Sequence, residues 1–190
     1  TISAAAERNE DILFVCYDNE IYGNTGGQRS SATPFGAFTT TTPGGKHAPK
    51  KDILAIMAAH RIPYAASVSM AHPEDMMRKF TRALDLQGFR FLHVLSPCPT
   101  GWKSEPSEGI ELIRWAVESG LYPVLEVIDG HEWTIDVEPT FSDQALRTFL
   151  ERQGRFTKSH VRSEDVRAAI DRVWLDLRAR LGAGTATPRP

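Results

Sequence analysis

The sequence lacks long apolar runs, has no strong excess of either charge, and contains few cysteines. Of its 190 residues, 41% are hydrophobic and 24% are charged, and the formal net charge is -2. A membrane-spanning helix needs about 20 consecutive apolar residues, and no run approaches that length. Dispersed charge close to neutral gives no electrostatic basis for binding nucleic acid or an anionic membrane. The totals predict a soluble globular protein that contacts neither nucleic acid nor membrane.

The two cysteines, Cys16 and Cys98, are too few for a disulfide framework, which predicts a reducing, cytoplasmic environment. No secretory signal is visible, because the alanines at positions 4–6 are followed at once by charged residues. The chain does not begin with Met, and residues 1–8 resemble the end of a helix. We therefore expect that an N-terminal part of the domain is missing from this sequence.

Apolar patterning predicts strands that alternate with helices. The predicted strands are 12–17, 64–69, 89–95, 122–128 and, at an edge, 132–137. The predicted helices are 51–60, one starting at Pro73, 107–119, 142–153 and 163–181. This order predicts an α/β fold with a mainly parallel sheet and helices on both faces, in a single domain over residues 1–181. The nearly continuous apolar strand 12–17 is expected to be buried on both faces, and residues 182–190 to form a disordered tail.

In such sheets ligands bind beyond the carboxyl ends of the strands. The segments expected there are 18–50, 69–73, 96–105 and 129–132. The first is the longest, and loops of that length are usually functional or disordered.

The 18–50 segment opens with groups suited to a cation and a phosphate. Asp18 and Asn19 offer the hard oxygen ligands that Mg²⁺ prefers. Thr25, Gly26 and Gly27 permit close backbone approach and offer N–H donors to an anion. In the alternative interpretation, Asp and Asn cap a turn that the glycines shape. Residue chemistry alone leaves both open.

The stretch DNEIYGNTGGQ, residues 18–28, resembles the thiamine diphosphate motif in the β subunit of 2-oxoacid:ferredoxin oxidoreductases of the pyruvate synthase type. The resemblance continues through SSATP at 30–34, TTTTP at 39–43, SVSM at 67–70 and SPCPTGW at 96–102. It covers roughly residues 1–137 and implies a thiamine diphosphate-binding fold.

The resemblance implies roles for individual residues of this loop. It assigns Mg²⁺ to the Asn19 side chain and the Ile21 backbone carbonyl. It places Asn24 and Thr25, the candidate catalytic residues, against the diphosphate and the reacting ring. Tyr22 and Gly26 are the remaining candidate cofactor-binding residues. Asp18 is expected to be a local hydrogen-bond acceptor rather than a metal ligand.

The resemblance also implies that Cys98 is the fourth thiolate of a 4Fe–4S cluster, the ligand type such clusters use. The other three cysteines, and a Gly-Asp-Gly whose Asp binds Mg²⁺, would precede Thr1. Without the resemblance, Cys98 is better interpreted as a lone loop thiol. Cys16 is interpreted as a small buried hydrophobe.

The implied reaction is oxidative decarboxylation of a 2-oxoacid such as pyruvate, with coenzyme A taking the acyl group. Electrons pass through clusters to ferredoxin or a similar acceptor, and the implied partners are further subunits of α, γ and δ type. Phenylglyoxylate or a branched-chain 2-oxoacid is an alternative substrate. A non-redox thiamine diphosphate carboligase and a cofactor-free scaffold subunit are alternative functions.

Two other features have weaker functional interpretations. Lys46 and His47 could reach an anionic substrate or coenzyme A from the long loop. Trp102 could shield the cluster or pack at a subunit contact.

Overall fold

A computed structural model describes residues 2–183 and shows a five-stranded sheet with helices on both faces. The strand order is β1-β3-β2-β4-β5. The strands are β1 (Leu13–Asp18), β2 (Tyr64–Ser69), β3 (Arg90–Leu95), β4 (Val124–Ile128) and β5 (Glu132–Val137). The α/β class predicted from the sequence is confirmed. Within the described residues, no helix combines the length and apolarity needed to cross a membrane.

The sheet is parallel at its centre and antiparallel at one side. β3 pairs in parallel with β1 and β2, whereas β4 runs antiparallel to β2 and β5 antiparallel to β4. The chain returns to the carboxyl end of β2 before β4 begins, where Ser67 Oγ donates to the Pro123 carbonyl at 2.7 Å. The 129–132 segment therefore lies at the opposite edge from the other loops, and its predicted place near the ligand-binding edge is wrong.

The helices divide between the two faces of the sheet. They are α1 (Ile2–Glu7), α2 (Ile53–Ala59), α3 (Pro73–Asp85), α4 (Pro99–Trp102), α5 (Gly109–Glu118), α6 (Asp143–Glu151), α7 (Gly154–Thr157) and α8 (Ser163–Ala183). The larger core takes residues from α2, α5, α6 and α8, and the smaller one packs α3 on the other face. Of the predicted tail, Gly182 and Ala183 end α8, and residues 184–190 lie outside the described part of the chain.

Strand β1 is less covered than its composition predicts. Phe14, Val15 and Tyr17 are 40, 40 and 68% exposed, and Cys16 is half-buried rather than buried. Within residues 2–183 its one neighbour is β3, so it forms an edge of this sheet. The expectation of a strand buried on both faces is wrong, because apolar content indicates burial without saying what supplies it.

Two local predictions also differ from the structure. The 96–105 loop contains the short helix α4, which Cys98 caps. In α3 the apolar residues Met77 and Leu84, which an amphipathic pattern would place inward, are exposed, and Lys79 is fully buried instead. Lys79 is tolerated there because its ammonium lies 2.8 Å from Asp75 and 2.9 Å from Asp136.

Candidate functional site

The site begins with a tight turn where β1 ends, the 18–21 turn. Asp18 Oδ1 accepts the Glu20 N–H at 2.8 Å, and Asn19 Oδ1 accepts the Ile21 N–H at 3.2 Å. Asp18 is thus the local acceptor that the sequence predicts. Glu20 adopts a left-handed backbone with φ of 63°. That conformation costs a non-glycine residue about 1–2 kcal/mol, so the surrounding contacts must hold it.

Two backbone carbonyls of this turn, those of Asn19 and Glu20, accept hydrogen bonds from side chains. Trp102 Nε1 donates to the Asn19 carbonyl at 2.9 Å, and Thr33 Oγ1 donates to the Glu20 carbonyl at 2.7 Å. Within residues 2–183 the Ile21 carbonyl accepts no hydrogen bond. The Ile21 carbonyl and the second lone pair of the Asn19 amide oxygen are therefore the oxygens left for a cation.

The 22–28 loop that follows is closed by its own backbone. Tyr22 and Gln28 form an isolated antiparallel bridge, and the Gly26 and Gly27 N–H groups donate to carbonyls of residues 22 and 23. The glycine N–H groups are therefore not the free anion donors that the sequence suggests. In the described part of the chain, the Asn24 and Thr25 N–H groups make no hydrogen bond.

This loop is open to solvent over much of its length. The exposed members include four of the predicted cofactor-binding residues: Tyr22, Asn24, Thr25 and Gly26. Gly26 and Gly27 both have positive φ, of 100° and 74°, which explains the choice of glycine at these positions. The unbonded N–H groups of Asn24 and Thr25 therefore lie on the solvent-accessible tip of this loop.

Cys98 lies against the same turn. Its Sγ caps α4 by accepting the Gly101 N–H at 3.4 Å. A Cβ added at Gly101 would lie 2.7 Å from Ile21 Cγ2 and 3.2 Å from Cys98 Sγ. Glycine at this position thus permits close packing of α4 on the turn and brings Cys98 beside Ile21.

Behind the turn lies a largely buried set of four charged residues and a histidine: Asp18, Glu20, Lys50, His93 and Arg155. Lys50 Nζ lies 2.8 Å from Asp18 Oδ2 and 2.7 Å from Glu20 Oε1. His93 Nε2 lies 2.8 Å from Asp18 Oδ2. Arg155 Nη2 lies 2.8 Å from Glu20 Oε2. We call this set the buried charge network.

The network keeps the Asp18 carboxylate ionised. Burial favours its neutral form, but the hydrogen bond from His93 and the positive charge and hydrogen bond of Lys50 outweigh burial and hold the Asp18 pKa well below its usual range. Burial lowers the His93 pKa, so the ring is neutral at pH 7. Because an ionised carboxylate can only accept, His93 Nε2 carries the proton and donates it to Asp18.

Lys50 is held in the charged form by the same carboxylates. Burial opposes its charge, but Glu20 and Asp18 more than offset that and raise the Lys50 pKa. Lys50 and Asp18 therefore both carry their charges throughout the neutral range, which makes this pair a fixed electrostatic feature behind the turn.

Arg155 connects the network to the carboxy-terminal part of the chain. It is 2% exposed, and its guanidinium carbon lies 4.3 Å from the centroid of the Trp102 ring. Its Nε donates to Gln153 Oε1 at 2.8 Å. The ion pair with Glu20 is close but not aligned as a hydrogen bond. Trp102 is fully buried, so its predicted place at a subunit contact is wrong.

Sequence reasoning missed most of this network. Arg155 carries no local signal because its partner Glu20 lies far away in sequence, and His93 belongs to no motif that points to a partner. The one available sign was a histidine inside the apolar strand β3, where a buried polar group needs a partner.

Lys46 does not reach toward a substrate. Its Nζ donates to the carbonyls of Ser31 and Thr33 at 2.9 and 2.5 Å, and the residue is buried. Burial, with the positive charges of Arg29 and Lys50, lowers the Lys46 pKa to about 8. Lys46 is therefore a brace within the long loop, whereas His47 is exposed.

The lowered Lys46 pKa predicts a pH-dependent stability difference between the wild type and Lys46→Met. Below pH 8 both folded and unfolded Lys46 are charged, and the folded state carries the full cost of burial. Between about pH 8 and 10.5 only the unfolded state keeps the proton, so wild-type stability rises with pH.

Solvent screening leaves about 1 kcal/mol of this effect, which corresponds to roughly 2–4 °C in Tm for a chain of this size. Differential scanning calorimetry from pH 7 to 10.5 measures it. The Tm of the wild type minus that of Lys46→Met should rise across this window. A difference that stays flat or falls would contradict the assigned pKa.

Cysteine, histidine and carboxylate side chains do not form a metal site by themselves. Across residues 2–183, no group of three or more of them is arranged to hold a metal ion. A cation at the 18–21 turn would therefore take Asn19 and Ile21 oxygens here and complete its shell from a ligand or from elsewhere. Cys98 alone supplies one thiolate, so a cluster would need further cysteines from outside the described residues.

Comparison with known families agrees with this site. The family model described as "Thiamine pyrophosphate enzyme, C-terminal TPP binding domain" matches residues 1–94. Pyruvate synthase subunit PorB of Methanocaldococcus jannaschii is 46% identical over 87% of this chain and 56% of its own length. Ketoisovalerate oxidoreductase subunit VorB of Pyrococcus horikoshii is 42% identical over 88% and 55%. PorB of Pyrococcus furiosus is 37% identical over 100% and 63%.

The fold, the loop and the family match together define a thiamine diphosphate-binding domain. More specifically, the chain belongs to the family of these pyruvate synthase and ketoisovalerate oxidoreductase subunits, the β subunits of 2-oxoacid:ferredoxin oxidoreductases. The resemblance drawn from residues 18–28 is thereby confirmed. The chain spans a little over half the length of these relatives.

Proposed function

We propose that the protein containing this chain oxidatively decarboxylates a 2-oxoacid and transfers the acyl group to coenzyme A. Carbon dioxide leaves, and the electron pair passes one electron at a time to ferredoxin or a similar acceptor. Pyruvate is the first candidate substrate. The proposal rests on family membership and on one observation: Cys98 lies beside the 18–21 turn.

The position of Cys98 is what favours redox chemistry. Thiamine diphosphate, when bound, supplies an electron sink for cleaving the bond between carboxylate and keto carbons. An iron–sulfur cluster held partly by Cys98 would supply a path for single electrons close to that sink. A carboligase has no use for a thiolate at this position, and a scaffold subunit would need neither the thiolate nor the open oxygens of the turn.

The residues present fit a magnesium diphosphate. Asn19 and Ile21 offer the cation two oxygens, and Mg²⁺ usually completes its shell with phosphate oxygens and water. The free N–H groups of Asn24 and Thr25 can donate to diphosphate oxygens, while Tyr22 and Gly26 shape the loop around them. These six residues would together hold and orient the cofactor, and Cys98 would supply one ligand of the cluster.

The proposed partners are the remaining subunits of such an oxidoreductase, in a cytoplasmic complex. Subunit names of the relatives describe components of larger enzymes. One relative is a ketoisovalerate oxidoreductase subunit, so a branched-chain 2-oxoacid is the second candidate substrate.

Viologen reduction by the anaerobically purified complex tests the proposal. The assay contains coenzyme A and one of pyruvate, 2-oxoglutarate, 2-oxoisovalerate or phenylglyoxylate. We expect strong reduction with pyruvate or, as the second choice, with 2-oxoisovalerate. A complex that holds iron and thiamine diphosphate yet reduces viologen with none of the four 2-oxoacids would contradict the oxidoreductase proposal and favour a carboligase. Absence of both cofactors would instead indicate a scaffold.

A further inference from the structure

We propose that Glu20, held by Arg155 and Lys50, is a positioning residue that sets the 18–21 turn for divalent-cation binding. This inference rests on the proposed function, because it concerns how the chain presents Asn19 and Ile21 to a magnesium diphosphate. Glu20 itself is 1% exposed and points into the protein, so it acts through its neighbours.

The backbone of Glu20 links the two candidate cation ligands. Its φ of 63° places the Asn19 side chain and the Ile21 carbonyl on either side of one left-handed residue. A change in the Glu20 backbone would therefore move both candidate ligands relative to each other. Such a conformation persists only where surrounding contacts over-determine it.

Ion pairs from two directions hold the Glu20 side chain and so fix its backbone. One carboxylate oxygen lies 2.7 Å from Lys50 Nζ, and the other lies 2.8 Å from Arg155 Nη2. Lys50 comes from the end of the long loop and Arg155 from α7. The two cations thus anchor Glu20 to two separate parts of the chain, while Lys50 also binds Asp18, which caps the Glu20 N–H.

Arg155 also supports the 18–21 turn indirectly, by packing on Trp102. Its guanidinium lies over the Trp102 ring at 4.3 Å, and the Trp102 indole N–H donates to the Asn19 carbonyl at 2.9 Å. Arg155 also fixes the long loop, because its own carbonyl accepts the Phe38 N–H at 2.6 Å. The Arg155 side chain therefore supports the peptide group between Asn19 and Glu20 through Trp102 and holds the Glu20 carboxylate directly.

The test compares Mg²⁺ dependence of cofactor binding in the intact complex. The cofactor-depleted complex is dialysed with a fixed excess of thiamine diphosphate over a series of Mg²⁺ concentrations, and bound thiamine diphosphate is measured after release. Glu20→Gln keeps the shape and removes the charge. Arg155→Lys is the milder second variant, which keeps the charge and loses the planar group over Trp102.

We expect Glu20→Gln to raise the half-saturating Mg²⁺ concentration by about 10–100-fold, the range for contacts that orient metal ligands, and Arg155→Lys to raise it less. In the viologen assay, excess Mg²⁺ should restore most of the rate, so the defect lies in cofactor binding. A purely structural role would lower Tm without moving this Mg²⁺ dependence.

Asp136→Asn is the matched control. It breaks a buried ion pair to Lys79, on the α3 side of the sheet and outside the site. It should lower Tm and leave the Mg²⁺ dependence unchanged. Folded Glu20→Gln or Arg155→Lys complexes with wild-type Mg²⁺ dependence would overturn the inference alone. A wild-type complex that binds no thiamine diphosphate at any Mg²⁺ concentration would overturn the proposed function as well.

Discussion

Cys98→Ala and Cys98→Ser should each remove one iron–sulfur cluster from the purified complex while leaving thiamine diphosphate bound. Viologen reduction with the physiological 2-oxoacid should fall close to background, because the path for electrons beside the cofactor is broken. Iron content, the visible absorbance of the clusters and bound thiamine diphosphate are the measurements. This is the largest effect expected from any single substitution in the chain.

The two variants separate a ligand role from a capping role. Cys98 Sγ caps α4 by accepting the Gly101 N–H. Serine is a good helix cap and alanine is a poor one, with a difference of about 1 kcal/mol. A capping role alone would make Ser nearly wild type and Ala merely less stable. A cluster ligand would make both variants lose iron.

Cys16→Ala provides the matched control for cysteine removal. Cys16 lies half-buried on the exposed edge strand β1, and burial raises its thiol pKa, with the Asp18 charge adding to the effect. A raised pKa disfavours the thiolate that a cluster needs. Cys16→Ala should keep full iron content. If it lost iron as Cys98→Ala does, or if Cys98→Ser kept every cluster, the role assigned to Cys98 would be wrong.

Local sequence information predicts the strands and helices of this chain well but not their surroundings. Strand β2 lies at 64–69 as expected, because a short run of mostly small and apolar residues is bounded there by turn residues on both sides. The direction of β4 was not predictable in this way, since it depends on where the chain returns to the sheet. The exposure of Phe14 and Tyr17 likewise depends on what lies next to β1.

In the candidate site, too, contiguous features are predictable from the sequence and long-range contacts are not. The motif at residues 18–28 and the loop around Cys98 are contiguous stretches, so their resemblance to a family is visible in the sequence. The Glu20–Arg155 pair joins residues from opposite ends of the chain, and no pattern of spacing links them. The burial of Lys79 in α3 is equally hard to predict, because its charge favours an exposed position and its partner Asp136 lies far away in the sequence.

The buried charge network carries a physical cost that favours a functional interpretation. Removing charges from water is expensive, and a buried ion pair is often no more stabilising than well-packed apolar side chains. Asp18, Glu20, Lys50 and Arg155 balance one another in charge. Their placement directly behind a turn with open oxygens fits a role in holding geometry rather than in stability alone.

Asn19→Ala is expected to weaken Mg²⁺-dependent binding of thiamine diphosphate by at least about 100-fold, the upper end of the range for losing contacts around a metal. The substitution removes one of the two oxygens that the chain offers the cation. It also removes the acceptor for the Ile21 N–H, which fixes the direction of the second oxygen. Both effects act on the same ion, so cofactor content should fall before folding does.

Asn19→Asp and Gln144→Ala make this result specific. Aspartate keeps an oxygen for the cation and an acceptor for Ile21, so it should retain part of the binding, although its added charge repels the diphosphate. Gln144 is an exposed amide on α6, and its removal should leave binding unchanged. The measurement is bound thiamine diphosphate against Mg²⁺ concentration, with Tm recorded for each variant. Wild-type binding by Asn19→Ala would remove Asn19 from the metal site and leave Ile21 without a partner ligand on this chain.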